Sequence, residues 1–348
     1  MYCRMDIRSA EKDRISTCAL ADNVAKAVIA KYTESAPAGN AQGVLAGIVA
    51  VCPNGQTEVI SIGYGNKFIP SNLQSQNTNG LKDCHAEILA RRAFKLWLIN
   101  QASQIGDRNS YFERTVEGKL RPLVEFILYV SSAPCGNACI RRWGKSDKEV
   151  YTLDKFIDIH EEFFAHAKSQ GQTAISYKSD KVLSCSDKIL KWSVLGIQGT
   201  RLSGSVSVYL SGIVIGRKFV RKHAMRAFCC RLNTKNVNPI IRNALVHPAL
   251  MCSAVKFDEG TFQGGQGATF DSKALWYALP DIWEHLDGST GMCVNGRVSL
   301  LRNMNSFSNV APEESQLATL LALELDRLYA CDLRFSVYLI MCILVLCV

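Results

Sequence analysis

A histidine and a glutamate two residues apart, in Asp83-Cys84-His85-Ala86-Glu87, are followed along the chain by Pro134-Cys135, by Cys139 and by Cys185. One imidazole nitrogen and two thiolates make three ligands for a tetrahedral zinc ion. Three protein ligands leave the fourth position to water, the pattern of a catalytic rather than a structural site. Glu87 would then act outside the metal shell, as the carboxylate that carries the proton of that water. The third ligand stays open on spacing alone, because Cys139 lies close behind Cys135 while Cys185 sits in the polar stretch Ser184-Cys185-Ser186-Asp187-Lys188. A lone histidine is more often structural than a ligand; here the accompanying cysteines favour the ligand reading.

Particular elements must position these groups. Two residues on a helix are about 200° apart, so His85 and Glu87 can share a cleft only at an N-terminal turn. Residues 84–99 supply that helix, with Ile88, Leu89, Phe94, Leu96 and Leu98 for packing. Val124 to Ser131 is a short β-run that delivers Cys135 at its end. There the cysteine would begin the next helix, whose unpaired N–H groups favour a thiolate. Upstream, Cys18, Leu20, Ala21, Val24, Val28 and Ile29 recur at helical spacing over residues 15–33, leaving Asp22 and Lys26 for solvent. A small-residue linker, Ser35 to Gln42, follows. The apolar runs Val44–Val51 and Thr57–Gly63 flank Pro53-Asn54-Gly55, a hairpin signal. Gly63-Tyr64-Gly65-Asn66-Lys67 opens a polar loop that reaches residue 82. Beyond Cys185, Ile189, Trp192, Leu195 and Ile197 form an apolar face beside Lys188 and Lys191, and Val206–Ile215 reads as a strand.

The 348 residues, 48% of them hydrophobic, are enough for one large α/β domain with a real core or for two small ones. A net charge of +9 favours an anionic partner, and nucleic acid is the commonest for a basic protein. Seven Lys or Arg residues and no acid fall between Arg217 and Lys235; a phosphate-tracking surface and a solvated helix face explain them equally well. Fourteen cysteines behind a polar N-terminus suggest a reducing compartment, cytoplasmic or nuclear. The glycine-rich stretch Phe262 to Gly267 lacks the lysine and the strand-to-helix context of a phosphate loop. Residues 146–180 carry no interpretable motif and read as an insertion. The uncharged run Phe335–Val348 is fourteen residues, short of the ~20 that span a bilayer; a buried helix or a tail anchor fits it, and membrane association is not expected.

His-x-Glu followed by Pro-Cys is the signature of the zinc nucleobase deaminases. With Arg91-Arg92, Ser132-Ala133-Pro134-Cys135-Gly136, Ser184-Cys185-Ser186-Asp187-Lys188, Trp192, Gly196 and Gln198-Gly199, the chain resembles the adenosine deaminases that act on RNA, and among them the tRNA-specific type. The resemblance runs from about residue 15 to about residue 300. It implies a cytidine-deaminase-like α/β/α sandwich with a mixed sheet and a C-terminal extension. The domain would occupy residues 15–330, between an N-terminal segment 1–14 and a divergent hydrophobic tail 331–348. It implies zinc on His85, Cys135 and Cys185, with Glu87 as proton carrier, and Ile48, Asn66 and Lys67 at the nucleotide pocket. It further implies inositol hexakisphosphate in the core on Arg91, Arg92, Lys188, Lys191, Trp192 and Thr200, with Asp83 linking that core to the zinc; Asn303 stands where the family has a lysine. The implied reaction is hydrolysis of adenosine to inosine at position 37 of alanine tRNA, with no stable protein partner. A free-nucleoside or cytidine deaminase is one alternative. The other is an RNA-binding pseudoenzyme, or inactive isoform, with a disrupted C-terminus.

Overall fold

The hairpin around Asn54-Gly55 sets the centre of the molecule. Strands β1 (Leu45–Val51) and β2 (Thr57–Tyr64) pair antiparallel through it. Asn54 Oδ1 accepts the Gln56 amide at 3.0 Å, and Gly55 turns the chain with φ 83°. Every residue of β1 is buried, which explains why its sequence is a continuous apolar run rather than an alternation: both faces of the strand are covered. Leu45, Val49 and Val51 lie in one core layer. Ala46, Ile48 and Ala50 lie in another.

The structure is a computed structural model that describes residues 7–35, 43–65, 81, 83–103, 111–142, 184–199, 202–232, 239–258, 273–287, 290 and 292–301. Asn66, Lys67, Thr200, Asn303, the 36–42 linker, the 146–180 stretch, the glycine-rich stretch and the hydrophobic tail lie outside the described residues. Eight strands form one mixed sheet. β1 and β2 are joined by β5 (Glu125–Ser132), β6 (Leu210–Arg217), β7 (Ala249–Cys252), β8 (Lys273–Ala278), β9 (Ile282–Asp287) and β10 (Met292–Cys293). Their order is β10-β9-β8-β2-β1-β5-β6-β7. The pairs β5–β6 and β6–β7 are parallel, and the others are antiparallel. A separate hairpin pairs β3 (Phe112–Arg114) with β4 (Leu120–Pro122).

Helix α1 (Ile7–Ser35) covers one face of the sheet through Ala21, Val24, Ala25, Val28 and Tyr32. It runs without a break through the boundary expected at residue 14. Asp22, expected to face solvent, instead accepts hydrogen bonds from Ser253 Oγ and the Ala254 amide, each at 2.8 Å, and so ties α1 to the turn after β7. Cys18, placed on the apolar face by spacing, is exposed. The opposite face carries α2 (Ala86–Ser103), α3 (Cys185–Leu195) and α4 (Arg221–Phe228), whose Phe94, Trp97, Ile189, Trp192 and Phe228 share a core layer with Phe126 and Leu128. α5 (Pro239–Ala244) precedes β7. Helices on both faces of a mixed sheet give the α/β/α architecture expected from the sequence. The strand expected from Val206 begins only at Leu210; Val206 and Val208 are buried in the segment that leads into it.

Candidate functional site

β2 and β5 both run antiparallel to β1, so they are parallel to each other, and their C-terminal ends meet at one edge of the sheet with that of β6. Open α/β sheets bind ligands at such an edge. β2 leads there through Gly65, whose carbonyl accepts the Ala86 amide at 3.1 Å and seats the start of α2. His85 is the last residue before α2, its carbonyl taking the Leu89 amide, and Glu87 lies in the first turn. Both side chains of the pair therefore enter at the helix N-terminus, as their spacing requires.

Cys135 stands three residues beyond Ser132, the last residue of β5, and Gly136 follows it with φ 90°. A Cβ on Gly136 would lie 2.3 Å from Ser184 Oγ, so only glycine lets this turn close on the start of α3. Cys135 does not begin a regular α-helix, as expected from the sequence, but precedes a 3-10 turn, Asn137–Arg142. The helix N-terminus that serves its sulfur belongs to α3: the Cys185 amide donates to Cys135 Sγ at 3.2 Å. Ser184 caps α3 by accepting the Asp187 amide at 3.2 Å. The Ser186 amide donates to the Cys135 carbonyl, and Ser186 Oγ accepts the Ala138 amide. The serines around Cys185 thus lock the two cysteine segments together.

The donor atoms of His85, Cys135 and Cys185 all lie within 4.8 Å of one another. Zn–S bonds of ~2.3 Å at tetrahedral angles separate two sulfurs by about 3.8 Å, so the cluster has the size and chemistry of a three-ligand metal site. Cys139 faces elsewhere, with its thiol donating to the Ala133 carbonyl at 2.7 Å. Asp83 orients the imidazole: its Oδ1 accepts from His85 Nδ1 at 2.7 Å and from the His85 amide at 2.9 Å. That leaves Nε2 for the cluster, the arrangement by which outer carboxylates fix histidine ligands. The other oxygen of Asp83 pairs with Lys188 Nζ.

Burial and the neighbouring charges compete to set the protonation of these groups. Burial alone would raise the Asp83 carboxyl, but the charges of His85 and Lys188 outweigh it and hold the acid well below the usual range. For His85 burial works downward and Asp83 upward, and Asp83 prevails, bringing the imidazole to about 9. A cation at Nε2 would take the place of that proton. Glu87 is pushed up by burial. Cys135 is lowered, first by its hydrogen bond from the Cys185 thiol, while burial raises Cys185.

Next to this cluster lies a second group of charges. Arg91 Nε donates to the Ile197 carbonyl at 3.0 Å, and its guanidinium sits 5.2 Å from the Trp192 ring centre. Burial, then Arg92, brings Arg91 down to about 10; burial, then Arg91, lowers Lys191. Lys95 was missed by sequence reasoning, although it lies one helical turn after Arg91; a Cβ on Gly199 would meet Arg91 Nη2 and Lys95 Cε, each at 3.2 Å. Among the described residues no carboxylate pairs with Arg91, Arg92 or Lys191. Lys188, which the resemblance groups with them, pairs with Asp83. Ile48 is fully buried in the layer that also holds Ala86 and Cys185. In α4 the basic run exposes Arg221 and Lys222 while Ala224, Ala227 and Phe228 are buried. No helix among the described residues is long and apolar enough to cross a membrane.

Residues 61–312 match a family described as the adenosine-deaminase (editase) domain. The chain is 31% identical over 210 residues to a mouse double-stranded RNA-specific adenosine deaminase, covering 52% of this chain and 18% of that protein. It is 34% identical over 245 residues to the Drosophila melanogaster double-stranded RNA-specific editase Adar, covering 61% and 35%. It is 32% identical over 196 residues to the Drosophila melanogaster tRNA-specific adenosine deaminase 1, covering 51% and 49%. The chain thus spans less than half the length of each, and identity does not separate the relatives named for duplex RNA from the one named for tRNA.

Proposed function

The chain belongs to the adenosine-deaminase (editase) domain family, and from that premise we propose that it converts adenosine to inosine in RNA by zinc-dependent hydrolysis. The observation that carries this reading is the meeting of His85, Cys135 and Cys185 within 4.8 Å beside the buried Glu87. These three residues would hold the zinc. When bound, such an ion lowers the pKa of its water from 15.7 to about 7. Glu87 takes the proton from the water that attacks adenine C6. It passes that proton to the ring nitrogen, then takes the proton of the new C6 hydroxyl and gives it to the departing amine, so one carboxylate serves both transfers and ammonia leaves. Asp83 keeps the His85 ring in the orientation that presents Nε2. Glu87 is buried, which limits the access of bulk water to its carboxyl.

The target base must leave its stack to enter, at a cost of a few kcal/mol that is least in a single-stranded loop. This favours a single-stranded loop such as a tRNA anticodon loop as the substrate; the resemblance to the tRNA-specific adenosine deaminases narrows the proposal to adenosine 37 of alanine tRNA. Duplex RNA is the second reading, supported by the equal identity to relatives named for it. Inosine formation on folded tRNA, on an RNA duplex and on free adenosine compares the three directly. Preferred turnover of tRNA supports the first reading, preferred turnover of duplex replaces it with the second, and equal turnover of free adenosine defeats both. Glu87→Gln should abolish deamination with zinc retained; an active variant would refute the proton-carrier role.

The same reading assigns an internal polyanion, inositol hexakisphosphate, to Arg91, Arg92, Lys188, Lys191, Trp192 and Thr200, and the position of Lys95 beside Arg91 adds it to the set. Burial lowers Arg91 and Lys191, and among the described residues no carboxylate pairs with Arg91, Arg92 or Lys191; desolvated cations are costly unless an anion compensates them, which supports the assignment. Mass spectrometry of the supernatant from denatured protein tests it: a soluble, active, zinc-loaded preparation without the polyphosphate would overturn it.

A further inference from the structure

Away from the candidate active site, three more soft donors meet. Cys229 follows the last residue of α4, Cys230 opens a 3-10 turn (Cys230–Leu232), and His247 lies in the short connection between α5 and β7. Their donor atoms all lie within 4.8 Å of one another, and the two sulfurs are 3.5 Å apart. Both thiols are free. Cys230 and His247 are seventeen positions apart in the chain, so the contact is not a by-product of local spacing.

Each side of the cluster is held by backbone bonds that do not involve the donors' side chains. The Cys229 amide donates to the Met225 carbonyl at 3.1 Å, and the Leu232 amide to the Cys229 carbonyl at 3.1 Å. On the other side, the Val246 amide donates to the Ser193 carbonyl in α3 at 2.8 Å. Pro248 biases His247 towards extended backbone. Two segments fixed independently therefore present two sulfurs and one imidazole to a common point. The separation of the sulfurs is close to the ~3.8 Å of a tetrahedral zinc with Zn–S bonds of ~2.3 Å.

We infer that Cys229, Cys230 and His247 form a second metal site, selective for a soft divalent ion of the zinc class, that tethers the end of the basic helix α4 to the connection before β7. Two thiolates neutralise the ion, which suits a site in a segment rich in Arg and Lys. Hard cations such as magnesium and calcium take oxygen ligands and are excluded by this donor set. On binding, the two thiols lose their protons to solvent, the sulfurs and the imidazole nitrogen form bonds to the ion, and no redox change occurs. Because the donors belong to no part of the proposed deamination site, the inference stands or falls separately from it.

The test is metal stoichiometry of the full chain, purified with reductant and read by elemental analysis. Wild type should carry about two zinc ions per chain, and His247→Ala, at an exposed position, about one. Cys135→Ser should also carry about one, and there cobalt(II) added in place of zinc should give a thiolate-to-cobalt charge-transfer band. Cys230→Ser in that background should lose the band. If Cys230→Ser fails to fold, His247→Ala, combined with Cys135→Ser, supplies the same comparison. A wild type with one zinc that Cys135→Ser removes entirely would overturn the inference. So would a chain lighter by two hydrogens that alkylation and digestion place at Cys229-Cys230, since the pair would then be a disulfide.

Discussion

Replacing Asp83 by asparagine separates the two tasks of that residue. Asp83 orients His85 through one oxygen and neutralises Lys188 through the other. Asparagine keeps one acceptor and turns an N–H₂ group either to the imidazole N–H or to the ammonium, so one donor faces another. The Lys188 side chain is only 20% exposed; breaking a buried pair costs about 3–5 kcal/mol, and this partial exposure places the loss near the lower end. At about 2 °C per kcal/mol for a large domain, Tm should fall by roughly 6 °C when measured in chelator. Zinc affinity should fall about 10–100-fold, the usual loss when the partner of a ligating histidine is removed. Asp83→Asn with Lys188→Met discriminates between the two effects. It removes both members of the pair, so Tm should return towards wild type while zinc affinity stays weak. Thermal melts in chelator and competition with a zinc-binding dye measure each quantity. Wild-type zinc affinity in Asp83→Asn would refute the assignment of Asp83 as the group that holds His85 in place.

Further outcomes follow from other contacts. Cys185→Ala should lose the active-site zinc and Cys139→Ala keep it, as zinc analysis would show; the reverse pattern would move the third ligand to Cys139. Gly136→Ala forces a side chain into left-handed backbone and against Ser184 Oγ; it should cost more than ~1 kcal/mol in denaturant melts and weaken zinc binding. Asp22→Ala should cost about 1–2 kcal/mol near neutral pH through its two lost hydrogen bonds. The Asp22 carboxyl is lowered, first by Ser253 and then by the Ala254 amide. Its stabilisation is therefore full above the ordinary carboxylate pKa and lost as pH falls through the lowered folded value, so variant and wild type should converge in acid melts. If Arg221 and Lys222 touch RNA phosphates, replacing each by Gln should reduce the salt slope of RNA binding by about 0.9; an unchanged slope would make the run a solvated face.

Which parts of this molecule could be read from the sequence follows from the range of the interactions. The β1–β2 hairpin and the start of α2 depend on local chemistry, Asn54-Gly55 and the helix-start position of His85 and Glu87, and they stand where the pattern put them. The choice between Cys139 and Cys185 depends on a turn closed by Gly136 against Ser184, nearly fifty residues apart, and spacing could not decide it. Asp22 looked solvent-facing because α1 is amphipathic; its partners at Ser253 and Ala254 come from the far end of the sheet. Lys188 and Lys191 look alike in sequence. The period of α3 sends one to Asp83 and the other to Arg91. Lys95 carried a usable signal, four residues after Arg91 on the same helix, and was missed because no motif included it.

Helix α3 explains why the proposed zinc cluster and the basic cluster should respond together. Cys185 and its amide stand at the N-terminus, Lys188 follows three residues on and grips Asp83, and Trp192 four residues later lies against Arg91. Ser184 and Gly196 bound the helix, and Ser193 near its end accepts the Val246 amide. An eleven-residue helix is too short to be stable alone in water, so its position is set by what it touches at each end. An anion that neutralises Arg91 and Lys191 stabilises the C-terminal half, and a metal on Cys185 stabilises the N-terminal half. Each should then tighten the other by holding the same rigid element, with Lys188–Asp83–His85 as the link between them. Zinc affinity measured in protein refolded with and without the polyphosphate would show this coupling, and equal affinities would show that the two clusters are independent.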